Sequence, residues 1–235
     1  TMRKWIGSIL FLSMIVLSIF TITQDVFRIQ LDEYGFDDIL KINFVYYSKS
    51  EIKYSMLNTV NIIGYFGSLI FGYLFLMQDF FCASRKYRRM LLIRFQKKGL
   101  LFRKFIINGL IKSLILAIIF ASSIYSSIYP YRERLIGSSL ELVHFLLRIG
   151  NLFLFFNIMT LITFIGYIFF DGGKTLLFSG SFIGFILIVD MFLPFTSILV
   201  YGKSLNVEFI NIIIQLICYI IIGILTYNLL KLVEW

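Results

Sequence analysis

The stretch Asp79-Phe80-Phe81-Cys82-Ala83-Ser84-Arg85-Lys86-Tyr87-Arg88-Arg89-Met90-Leu91-Leu92-Ile93-Arg94-Phe95-Gln96-Lys97-Lys98-Gly99-Leu100-Leu101-Phe102-Arg103-Lys104 lies between two apolar runs, residues 57–77 and 105–125. Read on to Lys112 it holds ten bases (Arg85, Lys86, Arg88, Arg89, Arg94, Lys97, Lys98, Arg103, Lys104 and Lys112) against Asp79 alone. A short basic segment between two membrane-length runs stays cytoplasmic, because Lys and Arg near span ends set orientation. The direction of these two runs then fixes that of every other one.

A helix needs about 20 mostly apolar residues to cross about 30 Å of hydrocarbon. Six runs meet that requirement: 5–23, 57–77, 105–125, 142–169, 175–199 and 209–230. The fourth is long enough to be tilted or broken. The expected fold is all-α, a polytopic plasma-membrane protein with six transmembrane helices and both termini cytoplasmic. Residues 1–235 form one transmembrane domain, with an outer loop at 24–58 and a cytoplasmic basic amphipathic segment at 79–106. Composition agrees: 59% of residues are hydrophobic and 15% charged, with 27 Phe and a mean hydropathy of +0.89. Soluble domains average about 25% charged residues.

The first run follows Arg3 and Lys4, as a secretory signal would. Its end, Ser18-Ile19-Phe20-Thr21-Ile22-Thr23, lacks a small-x-small cleavage site, so an uncleaved anchor is expected. The head and the 79–112 segment together carry +11, which the six acids against four bases of 24–58 bring down to the net +9. This distribution describes orientation in a lipid bilayer and requires no nucleic acid.

One histidine and two cysteines cannot supply a zinc site of three or four His/Cys ligands or a disulfide framework. No metal site and no catalytic residue is expected, since protease and metalloenzyme mechanisms lack their reagents. Asp171-Gly172-Gly173-Lys174-Thr175 echoes the end of a P-loop, but Ile168 stands where the first glycine is required. A short turn before the fifth span is expected there.

The basic segment suits one or two interfacial helices broken near Gly99. It reads either as a collar on anionic lipid or as a docking element, with Tyr87, Met90, Leu91 and Phe95 entering a partner's groove. Leu91-Leu92-Ile93-Arg94-Phe95, then Lys97-Lys98 and Leu101-Phe102-Arg103-Lys104-Phe105, resembles the loop after the second span in small permeases of the type-2 ABC exporter class. Gram-positive members commonly show an "LIRY…K…W…K" pattern there.

That resemblance implies a coupling helix seated in a separate P-loop ATPase, with contact between Ser84 and Lys98. Arg85, Tyr87, Arg88, Arg89, Met90, Leu91, Arg94, Phe95, Lys97 and Lys98 would make it. It further implies a second permease chain, alike or related, and ATP with Mg on the ATPase, with no cofactor on this chain. The head departs from the family, since only Met2, Arg3 and Lys4 precede the first span and leave little room for an amphipathic connecting helix.

Gly64, Ser68 and Gly72 in the second span, and Gly180 and Gly184 in the fifth, recur at four-residue spacing. Such faces let helix backbones approach closely in lipid, within one chain or between two. His144, Arg148 and Asp190 are ionisable groups inside spans, which are expensive there and so raise a functional hypothesis. Arg148 and Asp190 are both expected in the outer third of the core. They either approach and neutralise each other near an outer gate or snorkel separately to the headgroups.

Asn151, Asn157, Thr160 and Thr163 add polarity to the fourth span, and Asn211 and Gln215 to the sixth. They serve either a translocation path or interhelical hydrogen bonds. Pro194 is expected to break the fifth span near its outer end. The outer loop, with Tyr34, Phe36 and Tyr46 among its acids, is either a lid or a recognition element.

The function expected is that of a membrane permease subunit of an ATP-driven exporter. It would move hydrophobic or amphipathic cargo, peptides first (toxin or bacteriocin export, or self-immunity), by alternating access. The alternative is a non-transporting immunity or sensor protein that binds a partner laterally.

Overall fold

A computed structural model describes residues 2–29, 34–35, 67–78, 98–130, 135–136, 139–170, 172–192 and 205–232. Among them are six helices: α1 Met2–Ile29, α2 Gly67–Gln78, α3 Lys98–Ile128, α4 Ser139–Phe169, α5 Gly172–Phe192 and α6 Leu205–Leu232. Two two-residue strands, β1 (Tyr34–Gly35) and β2 (Leu135–Ile136), pair in parallel. They tie the chain after α1 to the chain between α3 and α4. The described residues are otherwise almost entirely helical, in keeping with the apolar runs.

Three stretches are long and apolar enough to cross a membrane: Gly99–Ser127, Leu142–Phe169 and Leu205–Leu232. Shorter apolar helical stretches are Ile6–Thr21, Gly67–Gln78 and Gly173–Ile186. A chain with such helices is membrane-associated, since lipid accommodates so much exposed aliphatic surface. The outer faces of α3 and α6 carry Ile111, Leu114, Ile118, Ile213, Ile217 and Ile224, all about half exposed.

Successive helices run in opposite directions. Ser8 at the start of α1 donates to Gln78 at the far end of α2 (2.6 Å). The Lys112 ammonium in α3 reaches the carbonyls of Phe75 and Leu76 in α2, both at 3.5 Å. Phe105 near the start of α3 stacks on Phe164 near the end of α4, with ring centroids 4.1 Å apart. Phe102 meets Tyr227 near the end of α6 at 5.5 Å. The Phe170 amide closes on Gly166 (2.7 Å), and Thr175 packs beside Gly166 to reverse the chain into α5.

α4 is the hub. In its apolar window 72% of residues are buried, against 28% in α3 and 17% in α6. Leu152, Phe155, Phe156 and Met159 form the centre, closed by Leu116 and Phe120 of α3, Leu69 of α2 and Ile15 of α1. The long fourth run is thus one unbroken helix of 31 residues. Its length reflects contact with neighbours on nearly all sides, which rewards apolar residues around the whole circumference.

One expectation changes, and two others are located more finely. α1 continues to Ile29, so the chain expected as outer loop from residue 24 is helical for its first six positions. Gly99 lies in the first turn of α3, and residues 79–97 before it lie outside the described residues. The glycine-lysine pair at 173–174 belongs to the start of α5 and follows a helix, not the strand that a phosphate-binding loop needs.

Glycine spacing is used unevenly. A Cβ on Gly72 would sit 2.9 Å from Phe156 Cζ, and Ser68 is wholly buried on the same face of α2. On α5, a Cβ on Gly180 or Gly184 would meet nothing within 4 Å among the described residues. Close approach occurs at Gly109 and Gly166, where an added Cβ would lie 2.7 Å from Thr160 Cγ2 and 3.0 Å from Phe178 Cδ1. Gly64 lies outside the described residues.

Candidate functional site, a polar seam between α4 and α6

α4 presents His144, Arg148 and Asn151 at spacings of four and three residues, one stripe of a helix. α6 presents Glu208, Asn211 and Gln215 at spacings of three and four. All six side chains are buried. The two helices run parallel: a Cβ on Gly150 would lie 3.6 Å from Ile212, and one on Gly223 would lie 3.9 Å from Leu161. That register sets the stripes against each other.

The centre of the seam is an ion pair. Arg148 Nη1 lies 3.5 Å from Glu208 Oε1, and neither side chain has any exposure. Asn151 Nδ2 donates to Glu208 Oε2 and reaches the Glu208 carbonyl at 3.3 Å. Glu208 stands in the first turn of α6, where free amides and the helix dipole favour a negative charge. The carboxylate is therefore held from three directions by positive potential. Even so, withdrawing two charges from water costs several kcal/mol per ion, which an apolar pair would avoid.

Two further polar groups of α4 bond to their own helix, whereas Thr163 hydrogen-bonds to Tyr73 of α2. Asn157 Nδ2 donates to the Phe153 carbonyl (2.8 Å), and Thr160 Oγ1 to the Phe156 carbonyl (2.9 Å). These groups satisfy themselves on their own helix. A second node joins other helices: the Tyr73 hydroxyl of α2 and the Ser179 hydroxyl of α5 are hydrogen-bonded, with Ser179 also donating to the Thr175 carbonyl at 2.7 Å.

Of the expected intramembrane groups, His144 and Arg148 thus share one buried stripe, while Asn157 is turned to its own backbone. The expected partner of Arg148 was Asp190; the partner among the described residues is Glu208. Asp190 belongs to α5, but its side chain, like Pro194, lies outside the described residues. Glu208 was missed because the sixth apolar run was started at residue 209, which placed the carboxylate outside the span. Its spacing to Asn211 and Gln215 was the available signal. The proposed coupling residues from Arg85 to Lys97 also lie outside the described residues, and Lys98 opens α3.

No known family model, characterised protein or solved structure matches the chain.

Proposed function

We propose that the chain is the permease subunit of an ATP-driven exporter in the plasma membrane, with six spans and both termini cytoplasmic. Two permease chains would work with two soluble P-loop ATPases, which bind ATP and Mg. The observation that carries the reading is the alternation of the helices. It gathers the start of α1, the end of α2, the start of α3, the turn between α4 and α5, and the end of α6 at one end of the bundle. Arg103, Lys104, Lys174 and Lys231 all lie toward that end. The basic segment lies in sequence between α2 and α3.

A push on that segment reaches α2 directly, and α2 is joined to α5 through Tyr73 and Ser179. Closure of the ATPases would shift this pair against the α4 hub and alternate access between the two membrane faces. The spans offer apolar surface and a neutral polar seam, which suits hydrophobic or amphipathic cargo, peptides first.

Co-purification tests the reading. The chain should retain a P-loop ATPase from its native membrane and lose it when Arg88, Arg89 and Arg94 are all changed to Glu. Retention after the reversals argues against this docking face. A chain that remains monomeric with no ATPase favours a laterally binding immunity or sensor protein.

A further inference from the structure

Gln215 is 1% exposed, and among the described residues neither its Oε1 nor its Nε2 has a hydrogen-bond partner. Asn151 is wholly buried, and its Oδ1 is likewise unpartnered although its Nδ2 is held by Glu208. Lipid offers nothing to such groups. Leaving a buried polar group unsatisfied is costly enough that native structures seldom do it without a reason. Methionine would fill the Gln215 position without that penalty.

The two amides belong to one seam. Asn151 is level with Glu208 through its hydrogen bond, and Gln215 lies seven residues further along α6, about 10 Å deeper. The charges of Arg148 and Glu208 cancel, so the seam attracts neither a cation nor an anion. Its spare capacity is two acceptor oxygens and one amide donor group. This matches a neutral guest that carries both an N–H and a C=O.

We infer that the deep part of the α4–α6 seam binds backbone peptide groups of an apolar cargo when the two helices part. Gln215 donates to a cargo carbonyl and accepts from its N–H, and Asn151 Oδ1 accepts a second N–H. The Arg148–Glu208 pair, one residue from each helix, closes the seam above it. This inference rests on the peptide reading of the proposed function and names the site within it.

The test uses the purified full chain in phosphatidylcholine and phosphatidylglycerol nanodiscs. Three probes are titrated: N-acetylated, C-amidated trileucine, its backbone N-methylated analogue, and N-dodecylacetamide, a neutral amide that is not a peptide. Trileucine should bind the wild type and bind Gln215→Met about 10- to 100-fold more weakly, the worth of two buried hydrogen bonds. The N-methylated analogue should bind the wild type as weakly. Gln215→Met should melt no lower than wild type, since it removes two unsatisfied atoms.

Equal trileucine binding by wild type and Gln215→Met overturns the seam as the site and leaves the peptide reading standing. Gln215-dependent binding of N-dodecylacetamide without trileucine overturns the peptide assignment and the peptide reading with it. No binding of any probe overturns the inference. A lowered melting temperature for Gln215→Met also overturns it, by making Gln215 a structural residue.

Discussion

Arg148 of α4 and Glu208 of α6 face each other at 3.5 Å with no exposure, on parallel helices sixty positions apart in sequence. Removing one partner strands a charge in a dry interior. Arg148→Met or Glu208→Gln should each lower unfolding stability by about 3 kcal/mol, as for other broken buried pairs. The double variant Arg148→Met/Glu208→Leu should recover most of that loss, because an apolar pair has no desolvation penalty. Denaturation in mixed micelles measures the cycle; strictly additive losses would show that the two groups are not coupled.

This pair also marks where sequence reasoning stopped. The stripe His144, Arg148, Asn151 was legible as isolated polarity in an apolar run, but its partner was not. Hydropathy trims a span at its first charge, which puts Glu208 outside. The register of α4 against α6 brings it in: α4 begins nine residues before Arg148 and α6 only three before Glu208. α4 therefore extends about 9 Å past the start of α6 at that end. Such offsets arise from side-chain interlocking between helices and leave no local trace. The helical class, the apolar runs and the clustering of basic residues were legible because each depends on composition within one segment.

Glycine spacing shows the same limit, and substitution tests it. Gly72→Ala would place its Cβ 2.9 Å from Phe156 Cζ, and Phe156 is wholly buried in the hub. Gly109→Ala would meet Thr160 at 2.7 Å. Each should destabilise by about 1–3 kcal/mol through overpacking. Gly180→Ala meets nothing among the described residues and should be neutral or stabilise by up to about 1 kcal/mol through helix propensity. Thermal unfolding of the three variants side by side separates spacing from true close approach; similar losses at all three would contradict it.

The Tyr73–Ser179 hydrogen bond is a second link whose removal is mild in stability. Tyr73→Phe or Ser179→Ala should cost about 0.5–1.5 kcal/mol, the usual range for one interhelical hydrogen bond. If α2 transmits motion to α5 through this node, either variant should also reduce cargo-stimulated ATP hydrolysis in the reconstituted complex while leaving ATPase co-purification intact. Loss of co-purification would instead indicate that the node shapes the docking face.

Orientation can be tested independently of cargo and partner. The start of α1 and the end of α6 lie at the bundle end that holds Arg103, Lys104, Lys174 and Lys231, whereas Glu208 lies toward the opposite end. Lys231 is further fixed there, with its ammonium 4.3 Å from the Tyr227 ring centroid. Basic residues near span ends resist translocation, so that end should be cytoplasmic. Green fluorescent protein fused after Trp235 should fluoresce, and alkaline phosphatase at the same position should be inactive. Alkaline phosphatase inserted near Lys203, just before α6, should be active, because α6 crosses the membrane between the two sites. Changing Lys174 and Lys231 to Glu should weaken this asymmetry without inverting it, since the basic segment between α2 and α3 holds most of the bias. Active phosphatase after Trp235 in the unaltered chain would reverse the orientation and remove the basic segment from the ATPase side.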